Sequence, residues 1–250
     1  MSYLKHIILV LLATAIGLST VAQKTAAYTE ATKLFEHAKM LYVKKQYVPA
    51  IGEFRAFIKT DPGSNLEYES NAYIGLSRLK LNKQNAARDL VKFYKSQPEH
   101  KINISIIYEL GIYYFNNAKY ARCLKYLEQI EEKYIVKSKR EELAFKKGYS
   151  YFKDQQYTKA KNEFKKVMYG DGEYAIEANY YYGFQCKILT DYACAMAIFE
   201  KIGDKGPKTM NLYIAQMYYE QEEYEKAYEI VKDVTISKKQ DDIQLQQVSF

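Results

Sequence analysis

Residues 107–127 read IYELGIYYFNNAKYARCLKYL, a helix, a short turn and a second helix. Gly111 is small, Cys123 twelve residues later is small, and Leu127 four residues further on is large and apolar. The same three linked positions recur along the chain. The first small residue stands at Ala38, Gly75, Gly111, Gly148, Gly183 and Ala215, with spacings between 32 and 37. The second is Ala50, Ala87, Cys123, Ala160, Ala195 and Ala227, and the large residue is Phe54, Val91, Leu127, Phe164, Phe199 and Val231. A period of this length is the mark of a repeat architecture. Two small residues let an antiparallel helix pair approach closely, and the large one fills the groove beside them.

Within a unit the apolar residues keep helical spacing, as in Leu34, Phe35, Ala38, Leu41 and Tyr42, which a strand with its period of two would not produce. An aromatic recurs at the turn, as Tyr47, Tyr120, Tyr157, Tyr192 and Tyr224, and unit two carries Gln84 there instead. Asp61-Pro62-Gly63 and Gly206-Pro207 end units one and five, where a helix must stop.

This grammar resembles the tetratricopeptide repeat. Unit three matches the family signature through Ile107, Leu110-Gly111, Tyr114, Tyr120, Cys123 and Leu127, and unit four through Gly148, Tyr151, Tyr157, Ala160, Phe164 and Val167. The resemblance implies an all-α, right-handed superhelical solenoid of about six helix-turn-helix repeats. They fall near 31–67, 68–103, 104–140, 141–175, 176–207 and 208–234, an array over 31–234. Departures are the longer spacing, Arg78 where Tyr is usual, and missing terminal prolines. Residues 235–250 are expected to form either a capping helix or the start of a seventh repeat.

Composition fits. The chain has 250 residues, 48% of them hydrophobic and 27% charged, with 11 Gly, 4 Pro and no Trp. These fractions argue against disorder, collagen, a multi-pass membrane protein and a loop-rich all-β fold. The anomaly is 27 Tyr, about 11% of the chain and periodic in position.

Residues 1–22 read as a secretory signal, with Lys5 and His6, an apolar run from Ile7 to Leu18, and small residues up to a cleavage point after Ala22. Residues 23–30 are then a linker, and the expected location is the periplasm. The Tyr-rich units make the chain look like exported envelope tetratricopeptide proteins of Gram-negative bacteria, some of which help assemble outer-membrane or secretion machinery. Cys123, Cys186 and Cys194 form no C-x-x-C. Cys186 and Cys194 lie either side of a predicted turn, where an oxidising compartment would allow them to pair.

By resemblance, the first helices line a concave groove. Counted from the first small residue, the candidates at minus three are Tyr108, Phe145 and Tyr180; at plus one, Ile112, Tyr149 and Phe184; at plus four, Phe115, Phe152 and Tyr219. Aromatic rings supply large contact area at low entropic cost, so the expected partner is a protein or peptide segment. The competing account is that such stripes are packing between repeats.

The formal charge of +7 supports an alternative, a basic solenoid facing an acidic envelope polymer or an anionic membrane surface. Acids stand near most of the lysine clusters, and export argues against nucleic acid. Nothing suggests an enzyme, cofactor, metal or small-molecule substrate. His37 and His100 lie in different repeats without a metal motif, phosphate-loop and nucleophile-elbow patterns are missing, and Gly170-Asp171-Gly172-Glu173 is too short for a calcium loop.

Overall fold

The computed structural model describes residues 30–207 and 209–232, so the signal segment 1–22 and the segment 235–250 lie outside the described residues. Among the described residues twelve α-helices follow one another: α1 over 30–43, α2 Tyr47–Thr60, α3 Glu67–Lys80, α4 Ala86–Ser96, α5 Asn103–Asn116, α6 Tyr120–Leu127, α7 Lys137–Lys153, α8 Tyr157–Lys165, α9 Ala175–Ile188, α10 Tyr192–Ile202, α11 Thr209–Glu220 and α12 Tyr224–Val231. No strand occurs among the described residues. Helices pack mainly on their chain neighbours, so the architecture is an α solenoid of six helix pairs. Two compact units divide at Tyr113 and Tyr114, within α5.

One turn is used six times. Lys45, Asn82, Ala118, Gln155, Thr190 and Glu222 all have positive φ, between 50° and 63°, and each lies seven residues after the small residue of its unit. The next residue's N–H reaches back five residues, as in Gln46 N to Leu41 O and Lys119 N to Tyr114 O, both 2.9 Å. The positive-φ residue's own N–H reaches back three, as in Lys45 N to Tyr42 O at 2.9 Å and Asn82 N to Leu79 O at 3.0 Å. This pair of bonds is the Schellman motif, which satisfies carbonyls that the helix end would leave orphaned. None of the six residues is glycine, so each turn carries left-handed strain.

In the first compact unit, Phe35, Phe54 and Phe57 form the seam of α1 and α2, with Phe35 5.8 Å from Phe54 and 5.4 Å from Phe57 between ring centroids. Tyr73 of α3 stacks on Phe54 at 5.1 Å. Buried Asn103 joins α5 to the link before it, donating to Gln97 O at 2.6 Å and Pro98 O at 3.1 Å, and accepting from the Tyr68 hydroxyl at 3.1 Å. The expected register is corrected here. In α4 the buried pair is Ala86 and Leu90, while Ala87 and Val91 are half-buried. Without an aromatic at Gln84, α4 starts two residues later behind Asn85, which is itself left-handed at φ 60°, and the helix face turns by one position.

In the second unit the packing grammar holds in α6, α8 and α10, whereas in α12 Ala227 is buried and Val231 is only half-buried. Ala160 and Phe164 of α8 and Ala195 and Phe199 of α10 are fully buried. A Cβ on Gly148 would sit 2.8 Å from the Phe164 ring, and one on Gly183 would sit 2.6 Å from the Phe199 ring. These glycines are therefore required by close approach. Cys186 of α9 and Cys194 of α10 are joined by a disulfide across the turn, with Cα atoms 5.8 Å apart.

Candidate binding groove

The first helices present their rows with unequal burial. Tyr108, Ile112, Phe145, Phe152 and Tyr180 are buried, at 3–7% exposure. Phe115, Tyr149 and Phe184 are half-buried, and Tyr219 is 64% exposed. In the second unit these residues form a continuous chain of rings. Phe115 meets Tyr149 at 5.5 Å, Tyr149 meets Tyr181 at 4.9 Å, Tyr181 meets Phe152 at 5.3 Å, Phe152 meets Phe184 at 5.7 Å, and Phe184 meets Tyr213 at 4.7 Å. Tyr181 lies outside the three rows, and only the contacts of its ring reveal it as a link in the chain. Phe145 also stacks on Tyr174 at 5.0 Å, which places it in the wall between helices α7 and α9.

The turn aromatics have a constant partner. Each opens the second helix of its unit and takes the plus-four ring edge-on: Tyr42 with Tyr47 at 5.6 Å, Phe115 with Tyr120 at 5.9 Å, Phe152 with Tyr157 at 5.9 Å, and Tyr219 with Tyr224 at 5.2 Å. Unit five breaks the pattern, because plus four is Lys187. Beside it opens a cleft of about 570 Å³, lined by Phe152, Tyr157, Phe184, Lys187, Tyr192 and Tyr213 on its principal walls. The volume falls within the range of ligand clefts. The disulfide ties the end of α9, which carries Lys187, to α10 across the turn at Thr190, and Asp191 caps α10 by accepting from Cys194 N at 3.1 Å.

Burial sets the titration of these groups. Desolvation first, then the neighbouring Tyr149, pushes the Tyr120 hydroxyl up to about 12. Desolvation likewise raises Tyr180, Tyr181 and Tyr213. It holds Lys187 below the ordinary lysine range, against an opposing pull from Glu220.

Three lysines of the basic clusters, Lys146, Lys147 and Lys166, have acidic partners. Lys147 pairs with Glu163 at 2.8 Å, Lys166 pairs with Glu163 at 2.9 Å, and Lys146 lies 3.7 Å from Glu142 and over the Phe115 ring. Among the described residues, the one group of His, Cys, Asp and Glu side chains close enough to share an ion is Cys186, Asp191 and Cys194, and its two sulfurs are bonded to each other. No helix of the described residues is long and apolar enough to cross a membrane.

No family model matches the sequence, and no curated protein matches it. Solved structures do match. A tetratricopeptide repeat protein from Parabacteroides merdae is 17% identical with a TM-score of 0.54, over 82% of this chain and 78% of that one. Pseudomonas aeruginosa PilF is 11% identical with a TM-score of 0.55, over 90% and 94%. MamA is 17% identical with a TM-score of 0.52, over 64% and 91%. Identity this low speaks to fold alone, and the fold these structures share with the chain is the α solenoid of tetratricopeptide repeats.

Proposed function

We propose that the chain is a non-catalytic scaffold of the cell envelope, exported by residues 1–22, that holds a segment of a partner protein against its first helices. The observation that carries this reading is the cleft at Lys187. It falls between the ring pairs of units four and six and leaves Phe184, Tyr157 and Tyr192 facing open space beside the Phe115–Tyr149–Phe152 chain. Half-buried aromatics around a concavity are suited to anchoring apolar side chains, and the repeat backbone holds them preformed.

The test is affinity capture from an envelope fraction with the full chain, in parallel with Phe184→Ala and Tyr149→Ala variants of unchanged helicity. The proposal expects one or more proteins retained by the wild type and lost from both variants. Equal retention by all three would overturn the groove. Export is tested separately: N-terminal sequencing of the mature protein should begin at Gln23.

A further inference from the structure

Lys187 is the odd member of its row. Four of the six units place there a ring that meets the following turn aromatic. In unit five the position is cationic, although its neighbour Tyr192 is retained. The Lys187 ammonium makes no ion pair with a described residue and lies over the Tyr213 ring, 5.9 Å from the centroid. Glu220, the one carboxylate of the cleft, is engaged elsewhere: the Tyr192 hydroxyl donates to one oxygen and Gln216 Nε2 donates to the other at 2.7 Å. Lys153 and Lys187 against Glu220 leave the lining with net positive charge.

A partly desolvated ammonium that feels the one cleft carboxylate only without a direct salt bridge, that carboxylate being already hydrogen-bonded to two other side chains, is where an incoming anion gains most. Apolar walls continue on both sides of it, Phe152 and Tyr157 from unit four and Tyr213 from unit six. A segment lying in this cleft would thus extend beyond its charge in both directions.

We propose that the cleft takes an extended protein segment with an internal Asp or Glu between apolar residues, its carboxylate seated on the Lys187 ammonium and its apolar neighbours against Phe184 and Tyr213. This rests on the groove reading above and adds the chemistry of the partner.

Random dodecapeptides displayed with blocked carboxyl ends and panned on the full chain provide the test, followed by titration of the enriched sequences as acetylated, amidated peptides. The expected result is enrichment of an acid flanked by apolar residues. Changing that acid to its amide should weaken binding to the wild type by about tenfold, the scale of one charge-assisted contact. On Lys187→Met, which keeps most of the side-chain stem, the same change should matter less than about twofold, and Lys187→Arg should restore the preference. Phe184→Ala should weaken acid and amide peptides alike. Enriched peptides without an acid, no enrichment over background, or an equal acid-to-amide loss on wild type and Lys187→Met would each overturn the assignment. Enrichment that is the same on wild type and Phe184→Ala would instead overturn the groove itself.

Discussion

Replacing Gly183 by Ala tests whether the six-fold grammar is set by close approach. The added Cβ would lie 2.6 and 2.9 Å from two ring carbons of Phe199 and 3.2 Å from Ile198 Cγ2. Carbon contacts settle near 3.5 Å, so the ring would have to withdraw by roughly 0.6–0.9 Å. Phe199 is fully buried and its ring faces Tyr180, so the withdrawal must move α10 rather than a free side chain. Overpacking of this kind costs about 2–3 kcal/mol, and the better helix propensity of Ala returns about 1 kcal/mol. The net loss is about 1–2 kcal/mol, a fall of about 3–6 °C in Tm for a chain of this size. Gly52 is the internal control, since a Cβ there meets nothing within 4 Å. Gly52→Ala should therefore raise stability by about 1 kcal/mol. Thermal and urea unfolding followed by circular dichroism at the helix band measure both. The double variant with Phe199→Leu should recover part of the Gly183→Ala loss, with a coupling of about 1 kcal/mol. A Gly183→Ala protein as stabilised as Gly52→Ala, or strictly additive losses in the double variant, would refute the close-approach account.

Three more outcomes are expected. Ala118→Gly and Thr190→Gly, at φ 53° and 59°, should each raise the urea midpoint by an amount equivalent to about 1 kcal/mol, because left-handed strain is removed; a fall at both would contradict the turn geometry. Removing the Cys186–Cys194 bond with a double serine substitution should cost about 2–3 kcal/mol, the entropy of a loop closed by residues eight apart, and peptide mapping without reductant should find the linked pair. Tyr120, near 12, and the raised Tyr180, Tyr181 and Tyr213 keep their protons in the folded chain when the unfolded chain has lost them near pH 10. Above that pH the folded state binds more protons than the unfolded state, so stability is full below pH 10 and falls as pH rises towards and past 12. A tyrosinate absorbance titration should show these groups ionising together with loss of helicity, and smooth ionisation near 10 with helicity intact would contradict it.

The period was legible because it is written in side-chain volume. Gly148 with Phe164 and Gly183 with Phe199 are contacts that any helix pair of this geometry must make, so the requirement reappears at fixed spacing. The turn was legible but its left-handed residue was not, since glycine is the usual signal and the chain uses Lys45, Asn82, Ala118, Gln155, Thr190 and Glu222, which share no one chemistry. Register slipped in unit two for a local reason, the loss of the ring at Gln84, which spacing alone cannot report. Which rows face open space was equally hidden. Tyr180 and Phe184 occupy one helix four residues apart, yet one is buried and the other half-buried because of what lies on neighbouring helices. Lys187 was visible in the plus-four row, but its meaning depends on the ring pairs of the other units.

The division of labour between Phe and Tyr explains why tyrosine is so abundant. The largest side chains with essentially no exposure include Phe35, Phe54, Phe57, Phe164 and Phe199, and no tyrosine. A solenoid is built of thin helix pairs, so most ring positions lie within one side-chain length of a polar group or of water, and there a hydroxyl is an asset. Tyr151 shows the rule: its ring is buried and its hydroxyl donates to Glu128, which is exposed. Phe164 shows the opposite case, fully buried at the seam with its ring edge against Gly148. Phe164→Tyr should therefore cost about 2 kcal/mol or more, since the hydroxyl would be desolvated in a seam with no space for it. Tyr151→Phe frees only a carboxylate that water can solvate, and should cost less than about 1 kcal/mol. Urea midpoints decide the matter, and a Phe164→Tyr protein as stable as the Tyr151→Phe protein would mean that tyrosine is not placed by access to polar partners.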